Sequence, residues 1–380
     1  MSAFTKDDLK RLQAESLHQK FQRSLAKIAE WFARWNNEVY VSFSGGKDST
    51  VLADICAKWC KVIGKPLYLV FVNTGLEYPE IQRFVKEYAQ YLRDKYGIEV
   101  VLEILRPKMR FDEVIKKYGY PIISKEVSNT IRLAKDNIKE KKYSHRLCKL
   151  GISSSEYGGL LDNGEYNYAE ALKNSKFTQY KWRPLVDTDF DCSEFCCFVM
   201  KKNPAKEYGD RTGRMPIIAT LSEESMNREN AWFKNGCNAF EGKTPKSAPM
   251  SFWTEQDVFQ YIKAEELPIA SVYGDIVYAE DTEQMRIEDF GIDCGGKEKL
   301  RTTGCDRTGC IFCAFGCHLE KEPSRFQRLK QTHPRQYEYC IGGGEYDENG
   351  GWKPNKQGLG MGHVFDELNK IYGEDFIKYE

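Results

Sequence analysis

Residues Ser42 to Thr50 read SFSGGKDST, and this glycine turn constrains the fold more than any other stretch of the chain. Glu38 to Phe43 before it form a short strand pattern, and Ser49 to Val62 after it a helical one. Adjacent glycines let a backbone take dihedrals closed to other residues and approach an anion closely, so that amide groups point at phosphate oxygens. The positive end of the following helix adds to that pull. Lys47 can neutralise phosphate charge, Ser44 and Ser49 can donate hydroxyl hydrogen bonds, and Asp48 can cap the helix or help hold magnesium. The spacing is not that of the Walker loop GxxxxGK(S/T).

The neighbouring pattern extends the argument. Leu67 to Val72 is an unbroken apolar run suited to a buried parallel strand, closed by Asn73, Thr74 and Gly75. Pro79 and Glu80 open the next helix, and Glu99 to Leu105 fit another strand. Strand, helix, strand, helix, strand predicts an α/β fold with a doubly wound parallel sheet, whose ligands bind beyond the carboxyl ends of the strands. The glycine turn and Asn73, Thr74 and Gly75 both fall there. Before the sheet, Leu9, Leu12, Leu17, Phe21, Leu25, Ile28, Phe32 and Trp35 space one or two packing helices. The expected division is an N-terminal helical segment over 1–36, a nucleotide-binding domain over 37–270 with a loop-rich insertion near 151–190, a cysteine-rich segment over 271–340, and a glycine-rich tail with a short helix over 341–380. The basic run from Ser128 to Lys149 reads as a solvated helix face.

With 56 basic and 56 acidic residues there is no global electrostatic drive toward nucleic acid. The N-terminus carries acids and lacks an apolar core, so neither a signal peptide nor a membrane span is expected, and the expected compartment is the cytoplasm. In a reducing compartment the 13 cysteines are better explained as metal ligands or reactive thiols than as disulfides. Cys305, Cys310, Cys313 and Cys317 crowd the stretch GCDRTGCIFCAFGC, and Cys196 and Cys197 are adjacent. Soft thiolates select an iron-sulfur cluster or zinc. Cys56, Cys60, Cys148, Cys237, Cys294 and Cys340 read as buried small hydrophobes.

The loop resembles the SGGxDS signature of the PP-loop ATP pyrophosphatase superfamily, whose members cleave ATP between the α- and β-phosphates. Pro216 to Ser225 followed by Arg228 resembles the strand-then-ES..R element of phosphoadenosine phosphosulfate (PAPS) reductase-like proteins, and Pro249 to Ile262 their P..FWTE.DV..YI helix. Cys196 to Pro204 is similar to the CC..RK..P segment of iron-sulfur adenylylsulfate reductases. The resemblance implies that Ser42, Phe43, Ser44, Gly45, Gly46, Lys47, Asp48, Ser49 and Thr50 hold the nucleotide phosphates. Asn73, Thr74 and Gly75 would border the adenosine, with Glu224, Ser225 and Arg228 facing the nucleotide and Lys201 and Lys202 gripping the substrate. It also implies a 4Fe-4S cluster on Cys196, Cys197, Cys310 and Cys313. The local quartet Cys305, Cys310, Cys313 and Cys317 stays open, as does zinc.

Two departures bear on activity. Sulfite-producing reductases carry a C-terminal nucleophile in an ECGLH-like motif, and no cysteine follows Cys340, leaving Cys340, Cys192 or Cys317 as substitutes. The loop is intact, which favours ATP. The expected enzyme therefore binds ATP and magnesium, releases pyrophosphate and activates an acceptor, in a nucleic acid or a partner protein, for cluster-assisted sulfur transfer, with Lys47, Asp48 and Arg228 as catalytic side chains. The alternatives are a PAPS or adenylylsulfate reductase and a non-catalytic nucleotide-sensing or DNA-associated regulator.

Overall fold

The computed structural model describes residues 4–160, 177–242, 244–279 and 299–380. They form two compact units, each drawn from separated stretches: Met1–Asn73, Glu77–Arg106 and Asn203–Gly309 in the first, Thr74–Leu76, Pro107–Lys202 and Cys310–Glu380 in the second. The stretch 37–270 is divided between the two. Residues 107–202 group with the chain after Gly309, where strand β4 (Ile122–Ile123) pairs in parallel with β8 (Ala314–Phe315).

In the first unit, β1 (Val39–Ser42), β2 (Leu67–Val72), β3 (Val100–Leu105), β5 (Met215–Ile218), β6 (Asn238–Ala239) and β7 (Lys246–Ser247) make one sheet in the order β3-β2-β1-β5-β7-β6. All neighbours are parallel except β6 with β7. The chain steps outward from β1 through helix α3 (Lys47–Ile63) to β2 and through α4 (Pro79–Tyr96) to β3, then returns to the other side of β1 as β5. The order reverses between β1 and β5, the point at which such sheets leave a crevice for a ligand.

Sequence explains this core. Val39 and Val41 of β1, Leu69 and Val70 of β2 and the α3 face Val51, Leu52, Ile55 and Cys56 are all buried. The N-terminal periodicity becomes α1 (Lys6–Gln13) and α2 (Leu17–Arg34), each opened by a capping box, Thr5 with Asp8 and Ser16 with Gln19. Helix α2 buries Ile28, Trp31 and Phe32. Its Lys20 pairs with Asp257 at 2.6 Å, and its Ser24 Oγ accepts from Trp253 Nε1 at 2.9 Å. Thr254 caps the helix Glu255–Ala264.

In the second unit, α5 (Phe111–Tyr118), α6 (Lys125–Lys139) and α7 (His145–Lys149) precede the cysteine pair. Here the solvated basic face is only partly realised. Lys135 donates to the carbonyls of Thr188 (2.9 Å) and Phe190 (2.7 Å), Arg132 pairs with Glu194 at 2.8 Å, and the buried Lys149 reaches Glu126 at 3.1 Å. Cations with long stems that find carbonyls and carboxylates beneath them are held inward. Lys139, Lys141 and Lys142 keep the exposed role. The tail helix, Met361–Tyr372, buries Val364, Phe365 and Leu368. Cys294 and residues 161–176 of the expected insertion lie outside the described residues. Among the described residues no helix is long and apolar enough to cross a membrane.

Candidate nucleotide site and cysteine group

The glycine turn leaves the carboxyl end of β1. Gly45 has φ +73°, and a Cβ there would stand 2.9 Å from Cγ2 of both Ile81 and Val85 on α4, so conformation and space both require glycine. Gly46 is the N-cap of α3 and has no side-chain cap bond. Asp48 therefore sits inside the first turn rather than capping it, and the helix starts two residues before the expected Ser49. Ser49 Oγ donates to Gly46 O at 2.9 Å and lies 3.0 Å from Ser44 Oγ, while Thr50 Oγ1 donates to the same carbonyl at 3.0 Å. The hydroxyls expected to meet phosphate thus first brace the loop. Ser42 ends β1, and the buried Phe43 stacks on Tyr88 of α4, with ring centroids 5.6 Å apart.

Lys47 is buried, and its Nζ lies 2.6 Å from Asp306 O and 2.7 Å from Glu255 Oε1. Two rings flank it, Phe259 at 5.1 Å and Tyr273 at 5.7 Å. The Tyr273 hydroxyl accepts the Lys47 N–H at 3.3 Å and is 2.6 Å from Thr308 Oγ1. Asp48 keeps one buried oxygen, Oδ1, without a hydrogen-bond partner among the described residues. Burial raises its carboxyl pKa above the ordinary value, against the opposing pull of Lys47, Arg307 and Arg228.

Past β5, Glu224 forms ion pairs with Arg228 and, at 3.1 Å, with Arg307, and accepts from Leu221 N at 3.1 Å. Ser225 N-caps the helix Met226–Asn235. Burial lowers the pKa of the Arg228 guanidinium, with Arg307 adding to the effect. The fold thus gathers Lys47, Asp48, Glu224 and Arg228 in the first unit. Asn73, also in this unit, donates its side-chain amide to Gln82 at 3.3 Å. Thr74, Gly75, Lys201 and Lys202 belong to the second unit, where the Thr74 hydroxyl accepts from Leu76 N at 3.1 Å. Sequence reasoning missed Glu255, Tyr273, Asp306, Arg307 and Thr308. Glu255 lies inside the FWTE motif and residues 306–308 inside the cysteine-rich stretch, so the motifs are visible in the sequence while the partners of these residues are not.

In the second unit Cys196 and Cys197 stand in the first turn of a helical segment that runs into the π-helical turn Phe198–Lys202. Cys196, Cys197, Cys310 and Cys313 interact electrostatically. A hydrogen bond from Cys196 holds the Cys197 thiol well below its ordinary value, with Lys125 and Lys201 assisting, and Cys196 is pushed up by the same bond. Arg325 donates to Cys313 O at 2.8 Å. The alternates behave differently. Cys305 belongs to the first unit, 3.7 Å from the Tyr78 hydroxyl, and Cys317 is buried with Sγ 3.0 Å from Ala314 O. Among the described residues no three Cys, His, Asp or Glu side chains form a set that could hold a single metal ion.

A parallel sheet that reverses at β1, with a glycine loop leaving that strand, defines an α/β nucleotide enzyme of the PP-loop type. A model of the phosphoadenosine phosphosulfate reductase domain matches residues 38–155 and 160–315, and the chain belongs to that family. Sulfate adenylyltransferase subunit 2 of Marinomonas sp. (strain MWYL1) is 23% identical over 306 residues, covering 78% of this chain and 80% of that protein. Among solved structures, phosphoadenylyl-sulfate (PAPS) reductase from Candida auris, in its phosphate complex, is 13% identical with a TM-score of 0.34, covering 81% of this chain and 98% of that one. The U34-tRNA thiolase NcsA from Methanococcus maripaludis, solved with its 4Fe-4S cluster, is 15% identical with a TM-score of 0.31, covering 72% of each chain.

Proposed function

We propose that this enzyme binds ATP at Ser42–Thr50, cleaves it to AMP and pyrophosphate, and so activates an acceptor for sulfur transfer. One observation carries the nucleotide part: a left-handed glycine loop with Lys47 and Asp48 leaves β1 where the strand order reverses, and Arg228 follows β5 on the other side of that reversal. An acceptor oxygen attacks the α-phosphorus, the bond to the bridging oxygen breaks, and pyrophosphate departs with the electron pair, leaving the acceptor adenylated; a sulfur nucleophile then attacks the activated carbon and AMP leaves with the oxygen and its electron pair. Lys47, the loop amides and Arg228 stabilise the charge that develops on the phosphates. Asp48, with a buried oxygen lacking a partner among the described residues, suits a hard oxygen-seeking cation and would hold magnesium.

Cys196, Cys197, Cys310 and Cys313 would hold a 4Fe-4S cluster, which supplies electron transfer or sulfur handling when bound. The field of Cys197, Cys310 and Cys313 at Cys196, and of Cys197 at Cys313, supports this grouping, as do Lys125, Lys201 and Arg325, cations suited to offset a four-thiolate charge. Lys201 then serves the cysteine group. The acceptor is a nucleic acid or a partner protein. Against sulfonucleotide reduction stands the burial of the substitute nucleophiles Cys340, Cys192 and Cys317, which are 0%, 2% and 3% exposed. Incubating anaerobically purified protein with ATP and magnesium tests the assignment. With water taking the place of the absent acceptor oxygen, AMP and pyrophosphate in equal amounts are expected; sulfite released from PAPS or adenylylsulfate, with no AMP formed from ATP, refutes it.

A further inference from the structure

Two residues of the first unit, Asp306 and Thr308, reach the glycine loop, with Arg307 between them. The carbonyl of Asp306 takes Lys47 Nζ at 2.6 Å. The hydroxyl of Thr308 is 2.6 Å from the Tyr273 hydroxyl, which accepts the Lys47 N–H. A Cβ on Gly46 would find Ser44 Oγ at 3.2 Å, the Tyr273 hydroxyl at 3.3 Å and Thr308 Oγ1 at 3.5 Å, so oxygen atoms ring the first amides of α3. Arg307 lies between these two anchors, and its neighbours on both sides fix its backbone against the loop.

The side chain of Arg307 is also aimed. Its Nη2 donates to Glu224 Oε1 at 3.1 Å, and Arg228 pairs with the other oxygen of the same carboxylate. Two guanidiniums thus share one counter-charge. Arg307 is 66% exposed and Arg228 42%, while Glu224 is 15% exposed. The carboxylate is the buried tether, and the cations face outward. Both act on Asp48 in the loop. An exposed guanidinium held by a single bond keeps most of its five donors for a ligand, and its planar fork matches phosphate oxygens.

We propose that Arg307 is a phosphate-binding residue of the nucleotide site, a third cation beside Lys47 and Arg228, positioned by Glu224 and by the anchored residues on either side of it. This rests on the nucleotide assignment above. The ligand class follows from the geometry: three cations around a helix N-terminus fit a nucleoside di- or triphosphate better than a monophosphate. Thr308 and Asp306 are positioning residues, acting through Tyr273 and Lys47.

The test is binding of ATP, ADP, AMP and adenosine to the full-length wild-type chain, Arg307→Ala and Arg307→Lys, by calorimetry with magnesium. A charged hydrogen bond is worth ~1.5–3 kcal/mol, so Arg307→Ala should weaken ATP roughly ten- to a hundredfold. Adenosine affinity and melting temperature should stay unchanged, and Arg307→Lys should recover part of the loss. An equal loss for ATP and adenosine would mark a merely structural residue and overturn the proposal, as would an unaltered ATP affinity. Should wild type bind none of the four, the nucleotide assignment itself fails, a result distinct from either.

Discussion

Gly45→Ala isolates the demand that the loop places on its backbone. At φ +73° a Cβ costs ~1–2 kcal/mol against the following carbonyl. The same atom would stand 2.9 Å from Ile81 Cγ2 and Val85 Cγ2, and both residues are buried on α4, so relief requires a shift in packed structure costing ~1–3 kcal/mol. The sum, ~2–5 kcal/mol, should appear as a lower urea midpoint with an unchanged slope, and ATP binding should fall with it. The double variant Gly45→Ala with Val85→Ala separates the contributions. Removing Cγ2 opens room for the new methyl, so the pair should lose less than the two single variants added together, by ~1 kcal/mol or more. The backbone portion should remain, because φ is untouched. Strict additivity would refute the steric argument, and a Gly45→Ala protein with wild-type midpoint and affinity would refute both portions.

Asp48 carries a pH signature. Its folded pKa is raised by burial, so the native state holds its proton longer than the unfolded chain does, and stability falls as pH rises from the ordinary carboxylate value through the folded one. Asp48→Asn should therefore raise the melting temperature at neutral pH, with little gain at pH 3, while abolishing magnesium-dependent ATP binding; a lower melting temperature at pH 7 would reverse the sign argument. Asp54 of α3 is fully buried and bonded to the hydroxyls of Tyr261 (2.8 Å) and Tyr96 (2.6 Å). Tyr261→Phe should cost ~1–3 kcal/mol in urea unfolding, since it strips one partner from a buried carboxylate. Anaerobic absorption spectra with iron assays should show the chromophore lost in Cys197→Ser and Cys313→Ser and kept in Cys305→Ser; retention in Cys197→Ser rules out the proposed quartet.

The sheet was legible because its signals are local. Apolar runs bounded by Asn73, Thr74 and Gly75, a proline at the first position of α4 and two adjacent glycines each act over a few residues, and each held to within about two positions. The Glu255 and Arg307 contributions were not legible, because they depend on residues 208 and 83 positions away from their partners Lys47 and Glu224. No periodicity encodes such pairs. The same holds for Lys135 and Lys149, whose spacing says helix face but whose partners, Thr188, Phe190 and Glu126, decide which way they point. The grouping of residues 107–202 with the C-terminal stretch was not legible for a related reason: β4 finds β8 across nearly two hundred residues, and composition carries no trace of that partnership.

That interleaving bears on how the polypeptide emerges during synthesis. The loop at residue 45 is translated early, yet Tyr273 and Asp306 to Thr308, which close around it, come more than two hundred residues later. A nascent chain halted before residue 309 holds neither unit whole. Truncations that stop before Gly309 should therefore yield no soluble half-molecule, whereas the first unit is complete once Gly309 is made.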